Sequence, residues 1–137
     1  MATAIDPAIR RWLEEFAGAV RDVDYARGAT MVAPEVVGFG THGGVLVGRD
    51  ALVAGQWRNV WGVTRGFTFR LDDLRGEVVG ERAWVAVPWD SQGRDDQGAW
   101  YDRPGRATIV LERRDGRWLA VHTHFSLYPP TAARPAR

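Results

Sequence analysis

Asp115-Gly116 lies between two runs of alternating apolar and polar residues, and that arrangement leaves the surrounding chain few options. An Asp-Gly pair favours the primed two-residue turns whose twist matches that of paired strands, so residues 106–114 and 118–127 read as an antiparallel hairpin. Strict alternation along the last strand puts Leu119, Val121, Thr123, Phe125 and Leu127 on one face. Trp118, Ala120, His122, His124 and Ser126 fall on the other. The first set is apolar and is expected in a core. The second is aromatic and polar and is expected against a partner.

The rest of the chain divides into helices followed by strands. Asp6-Pro7 opens a first helix, with Asp6 as N-cap and Pro7 at the first helical position. Ile9, Trp12, Leu13, Phe16 and Val20 then recur at helical spacing. A shorter helix is expected over about 23–30, with Tyr25 near its start. A short strand follows over 36–39, a turn over 40–44 carrying His42, and a third helix over 49–61 that stops at Gly62. Strands are expected at about 67–74 and 81–90, ahead of the final hairpin. A long polar connection over 90–105 holds Trp100 and Tyr101. Helices first and hairpin-linked strands after them make an α+β fold: a strongly curved antiparallel sheet wrapped around the N-terminal helices, a cone with an internal pocket. A single domain spanning 1–137 is expected, with flexible tails at 1–5 and about 129–137.

Composition narrows the function. The chain has 137 residues, enough for one domain with a real core. The longest apolar runs stop well short of about 18 residues, so no membrane span is expected. Cysteine is absent, which removes thiol and disulfide chemistry and points to a cytoplasmic setting. The 18 basic residues, all arginine, nearly balance 17 acidic ones and are dispersed, which argues against a nucleic-acid partner. No lysine means no Schiff base. No nucleotide loop, zinc motif or nucleophile motif is present, so no cofactor and no metal are expected.

Several residues carry candidate chemistry. Asp90 follows Trp89; a carboxylate beside indole in a cavity would act as general base or acid, and the competing reading is a turn opened by Asp90. Tyr25, His42 and Tyr101 are the other groups able to polarise an oxygen or move a proton. Trp57 and Trp61 share a helix face and, with Trp12 and Trp89, would form an aromatic wall or simply fill the core. His122 and His124 point the same way about 7 Å apart. That spacing suits a metal, which His42 would complete, yet an outer-face position favours an interface. Glu112 is explained by a cross-strand ion pair.

The motif Arg113-Arg-Asp-Gly-Arg-Trp-Leu-Ala-Val-His-Thr-His-Phe-Ser126 resembles the last strand of the association (hub) domain of calcium/calmodulin-dependent protein kinase II. That domain belongs to the nuclear transport factor 2-like superfamily, with ketosteroid isomerase and the SnoaL-type polyketide cyclases. Asn59-Val-Trp61, Gly80-Glu-Arg-Ala-Trp-Val85 and Gly48-Arg-Asp-Ala-Leu52 match the same template in order, from Ile9 to Pro129. The resemblance implies the cone and an outer sheet face that packs on a second subunit, a homodimer or a larger ring, through Trp118, His122, His124 and Ser126. The hub's pocket residues (arginines, a histidine, a tyrosine) fall here on Asp90, Ile109, Phe125, Val53 and Gly28. With Trp12, Trp57, Trp61 and Trp89 these suggest a larger apolar chamber for a neutral apolar or aromatic compound. The implied activity is cofactor-free isomerisation, cyclisation or dehydration, and the alternative is a non-catalytic binding or assembly domain.

Overall fold

Asp6 caps the first helix as its place before Pro7 dictates, its Oδ1 accepting from the Ala8 backbone N–H at 2.8 Å. In the computed structural model, which describes residues 5–129, α1 runs Pro7–Arg21 and buries Ile9, Trp12, Leu13, Phe16, Ala17 and Val20 along one stripe. A short α2, Tyr25–Ala29, is capped by Asp24. The sequence-expected tails lie outside the described residues except for Ile5 and Pro129.

β1 (Val32–Phe39) is twice as long as the strand expected at 36–39, and β2 (Leu46–Val47) returns beside it. The expected third helix is one helical run with changing pitch: α3 Arg49–Leu52, a π-helical turn Val53–Trp57, α4 Arg58–Val60 and a 3₁₀ turn Trp61–Val63. A π turn inserts one extra residue and rotates the register. Here it lets the adjacent Gln56 and Trp57 both face inward, at 8% and 4% exposure.

The strands that follow are β3 Thr64–Phe69, β4 Arg75–Val79, β5 Arg82–Arg94, β6 Trp100–Asp102, β7 Gly105–Arg114 and β8 Arg117–Leu127. They form one open sheet of order β2-β1-β8-β7-β5-β3, with β4 and β6 also on the long β5. The sheet is mixed: every pairing is antiparallel except β1 with β8. Register shifts interrupt β1/β8, β3/β5 and β7/β8. Such irregularities raise local twist and bend the strands, which is how a flat sheet becomes a roll around α1.

Two expectations change here. The connection over 90–105 is a hairpin: β5 continues through Arg94 and β6 pairs back, Gln92 opposite Asp102 and Arg94 opposite Trp100. The second change concerns the last strand. Leu111 faces Ala120 but Val110 faces His122, so Val121 is an extra residue on β8. Because side chains alternate with a period of two, one inserted residue switches faces. Trp118 and Ala120 therefore point inward before the bulge (8% and 0% exposed), and Thr123 and Phe125 point inward after it. Trp118 belongs to the core and not to the outer face, whereas His122, His124 and Ser126 remain on that outer face.

Arg114 ties the bulged part of β1 to the hairpin, pairing with Glu35 and with Glu112. Arg82 also reaches Glu112, at 2.8 Å, as the cross-strand reading expected. The Arg114 guanidinium holds the Glu35 carboxyl down at about 2, below the ordinary value of 4.5.

Two predictions follow from this geometry. Trp118→Ala is expected to cost about 3 kcal/mol or more in urea unfolding, as buried tryptophans do, and Leu119→Ala much less; small, equal losses would return Trp118 to the outer face. Glu35 has a depressed folded-state pKa, so its contribution is present above about 4.5 and is lost as pH falls toward about 2. Glu35→Gln should flatten the acid limb of the stability profile in that window, and an unchanged limb would contradict the pairing.

Candidate functional site

A small cavity lies between α1, the helical run after β2, and the inner faces of β3, β5 and β8. Most of its wall is aromatic. Phe16 of α1 stands at the centre: Trp57 and Trp61 meet its ring edge-on at 5.7 and 5.8 Å, and Phe125 stacks at 6.2 Å. Trp57 and Trp61, four residues apart, stack on each other at 4.5 Å, and Trp89 and Phe67 complete the wall. The rings fill most of what sequence reading expected as a large chamber. The cavity left is about 40 Å³, room for about three waters.

Two glycines make this packing possible. A Cβ on Gly28 would sit 2.7 Å from Trp61 and 3.0 Å from Trp57, so α2 can close over the indole pair only without a side chain. Gly105 lies opposite Trp89 in the β5/β7 pair, and a Cβ there would sit 2.2 Å from the Trp89 ring.

The polar part of the wall comes from three places. Thr41 follows β1, Gln56 sits in the π turn, and Arg103 lies between β6 and β7. Arg103 Nη2 donates to Thr41 Oγ1 at 2.7 Å; Gln56 Oε1 accepts the His42 backbone N–H at 3.0 Å. The Arg103 strand end is fixed through Ser91, whose Oγ donates to the Arg103 carbonyl at 2.6 Å. Burial lowers the Arg103 pKa from the ordinary arginine value, with the neighbouring Tyr101 hydroxyl opposing that shift. The group stays a cation at neutral pH. Its guanidinium carbon is 6.0 Å from the centre of the Trp89 ring. The Trp89 Nε1–H is buried and donates to no described group. Among the described residues, Arg103 is the one ionisable side chain lining the cavity.

Outside this wall is a second hollow of about 150 Å³. It shares Thr41, Val60, Thr64 and Arg103 with the cavity and adds His42 and Tyr101 at the mouth.

The sequence-predicted residues distribute unevenly over this geometry. Trp57, Trp61, Trp89 and Phe125 line the cavity, and His42 and Tyr101 stand at its mouth. Asp90 does not enter it. On β5 the inward residues are Ala83, Val85, Val87, Trp89, Ser91 and Gly93, so Asp90 projects outward, with its Oδ2 3.9 Å from Arg70 Nε. Asp90 opens no turn either, since β5 passes straight through it. Tyr25 stacks on the far side of Trp61 at 5.4 Å, beneath the Arg58 guanidinium, and does not line the cavity. Trp12 is fixed by a Phe16 stack and by Nε1 donating to the Met31 carbonyl at 3.1 Å. Ile109 is fully buried in the core, Val53 packs at its margin, and Gly28 serves the indole pair. On the outer face His122 Nδ1 donates to the Val37 carbonyl at 2.8 Å, and Phe39 packs on both histidine rings. A shallow groove of about 430 Å³ runs beside them, past His124, Ser126, Thr108 and Arg106.

Arg103, Thr41 and Gln56 were missed by sequence reading. Arg103 was hidden by treating 90–105 as a loop. The signal for it was the alternation that continues past Trp89 through Ser91 and Gly93.

Comparison with known proteins agrees with the architecture. A protein of similar shape is a candidate calcium/calmodulin dependent protein kinase II association domain from Xanthomonas campestris, with TM-score 0.79 and 19% identity over 95% of this chain and 96% of that one. A ketosteroid isomerase-like protein from Erwinia carotovora atroseptica superposes with TM-score 0.76 at 14% identity, covering 90% of this chain and 96% of that one. The association domain of C. elegans calcium/calmodulin-dependent kinase II does so with TM-score 0.67 at 19% identity, covering 86% and 92%. No curated protein matches the chain. The SnoaL-like domain model matches residues 9–131, and with that match over nearly the whole chain the protein belongs to the SnoaL-like family.

Proposed function

We propose that this chain captures a compact small molecule in the cone and works as a self-associating binding domain. The observation that supports this most directly is the wall of the cavity. It is aromatic on most sides, carries hydrogen-bonding groups from Arg103, Gln56 and Thr41, and includes no carboxylate among the described residues. Aromatic surface with a few convergent polar groups is the usual composition of a ligand pocket. A carboxylate base in the cone would be the simplest route to proton-transfer chemistry, and Asp90, the sequence candidate, points the other way.

The second reading is a cofactor-free isomerase, cyclase or dehydratase acting on a neutral apolar or aromatic compound. The grouping of His42 and Tyr101 with Arg103 at the mouth favours it. A histidine is the natural proton carrier near neutral pH, and a tyrosine hydroxyl or guanidinium would polarise an oxygen.

Self-association would use the outer sheet face. Phe39, His122 and His124 form a ring cluster there beside the groove of Thr108 and Ser126, a mixed aromatic and polar surface of the kind that suits an isologous contact. A homodimer is the proposed unit, extendable to a larger ring.

Native mass spectrometry of freshly purified protein is expected to show a dimer that releases a small organic compound on denaturation. Val60→Phe, which adds bulk at a residue lining both the cavity and the adjoining hollow, should lose the compound and keep the dimer. A bare monomer would overturn both parts of the proposal. His42→Gln should leave capture intact; conversion of the captured compound by the unaltered chain, abolished in His42→Gln, would establish the second reading instead.

A further inference from the structure

Thr41, Val60, Thr64 and Arg103 line both the cavity and the outer hollow, so these four side chains form the partition between them. One hydrogen bond spans that partition. Arg103 Nη2 donates to Thr41 Oγ1 at 2.7 Å and joins segments 62 residues apart in the chain.

The two ends of this bond are anchored unequally. Arg103 is held firmly: its backbone N–H donates to the Ser91 carbonyl at 2.8 Å, and the Ser91 hydroxyl donates to the Arg103 carbonyl at 2.6 Å. Its shaft lies so close over Gly93 that a Cβ there would come within 2.8 Å of Arg103 Cδ. Thr41 belongs to a connection with far less support. Residues 41–44 are bends between β1 and β2, with His42, Gly43 and Gly44 exposed and Gly43 at a φ of +79°. Among the described residues, no backbone-to-backbone hydrogen bond involves 41–44. Side chains hold this segment instead. Besides Arg103 there is Gln56, whose Oε1 accepts the His42 N–H at 3.0 Å and whose Nε2 lies 3.4 Å from Thr41 Oγ1. Gln56 enters from the π turn, a helical irregularity frequent at functional positions. A segment tied by a few polar bonds sits at the low-stability end of a structure.

Size makes a second, independent point. A cavity of about 40 Å³ has room for about three waters, whereas sites that bury a small molecule run from about 300 Å³ upward. The aromatic walls have little slack, since Gly28 and Gly105 already lie in close contact with Trp57, Trp61 and Trp89. The polar partition is the side able to give.

We infer that residues 41–45 form a lid on the cone, latched shut by the Arg103–Thr41 bond, whose opening joins the cavity and the 150 Å³ hollow into one chamber. The inference rests on the cone cavity being the binding site. The joined chamber is aromatic at its inner end and carries His42, Asn59 and Tyr101 at its outer end, so it fits a single ring bearing a polar substituent, ring inward. Unlatching breaks one charge-assisted bond and one long one. That places the open form at about 0.1–10% of molecules, exchanging on about the microsecond-to-millisecond scale.

Hydrogen exchange at the His42 backbone N–H reads the lid without any ligand, because its acceptor is Gln56 and not the latch itself. On the unaltered chain, dialysed free of small molecules, His42 should exchange far faster than the buried Leu13 of α1, at a rate insensitive to low urea. Exchange at His42 as slow and as urea-dependent as at Leu13 would mean that the segment opens only on global unfolding, and would overturn the lid. Thr41→Val keeps the shape and removes the hydroxyl; Arg103→Met keeps the shaft and removes the donor. Each should speed His42 exchange about tenfold or more and leave Leu13 unchanged, and the double variant should match Thr41→Val, because one bond is broken in all three. No acceleration in either single variant, or accelerations that multiply in the double, would overturn the latch. Exchange is read on ligand-free protein, so its failure is separate from a failure of capture, which native mass spectrometry reports.

Discussion

The cone closes on Phe16. Its ring meets Trp57 and Trp61 from the helical run and Phe125 from the last strand, so three separate parts of the chain converge on one side chain of α1. Each such aromatic pair contributes about 0.5–1.5 kcal/mol beyond the area it buries. Much else follows from admitting that many rings. Gly28 lets α2 lie against the indole pair, and Gly105 lets Trp89 lie across β7. The π turn turns Trp57 inward together with Gln56, and so brings one amide to the cavity edge. The small size of the cavity is a direct consequence of the same packing.

The site depends on this packing for its chemistry. In water a guanidinium is an ordinary donor; against a wall of rings, with burial lowering the Arg103 pKa, its bonds to the Thr41 and Tyr101 hydroxyls matter more. The SnoaL-like scaffold does not choose the ligand, because one cone serves different activities according to the few polar groups placed inside it. Here those groups are Arg103, Thr41 and Gln56, with His42 and Tyr101 in the adjoining hollow.

The fold was largely legible because its signals are local. Asp6-Pro7, the helical stripe from Ile9 to Val20 and the Asp115-Gly116 turn each specify their own surroundings, and the structure contains all three. What sequence did not reveal depends on parity and pairing. A single extra residue at Val121 moves Trp118 from the outer face to the core, and nothing in the local sequence marks that bulge, since its cause is the bending of the whole sheet. Asp90 was judged by its neighbour Trp89, yet adjacent residues on a strand face opposite ways. Arg103 reaches the cavity only because β6 pairs back on β5, a contact between segments about ten residues apart. Aromatic residues of the site were therefore readable, and its charge was not.

Electron density inside the cone of the crystallised protein is the most direct test. The account predicts an ordered water or ligand atom in the cavity within hydrogen-bonding distance of the Arg103 guanidinium, with Trp57 and Trp61 stacked against Gly28. An Arg103 side chain swung out to pair with a surface carboxylate, over a dry and collapsed interior, would contradict it.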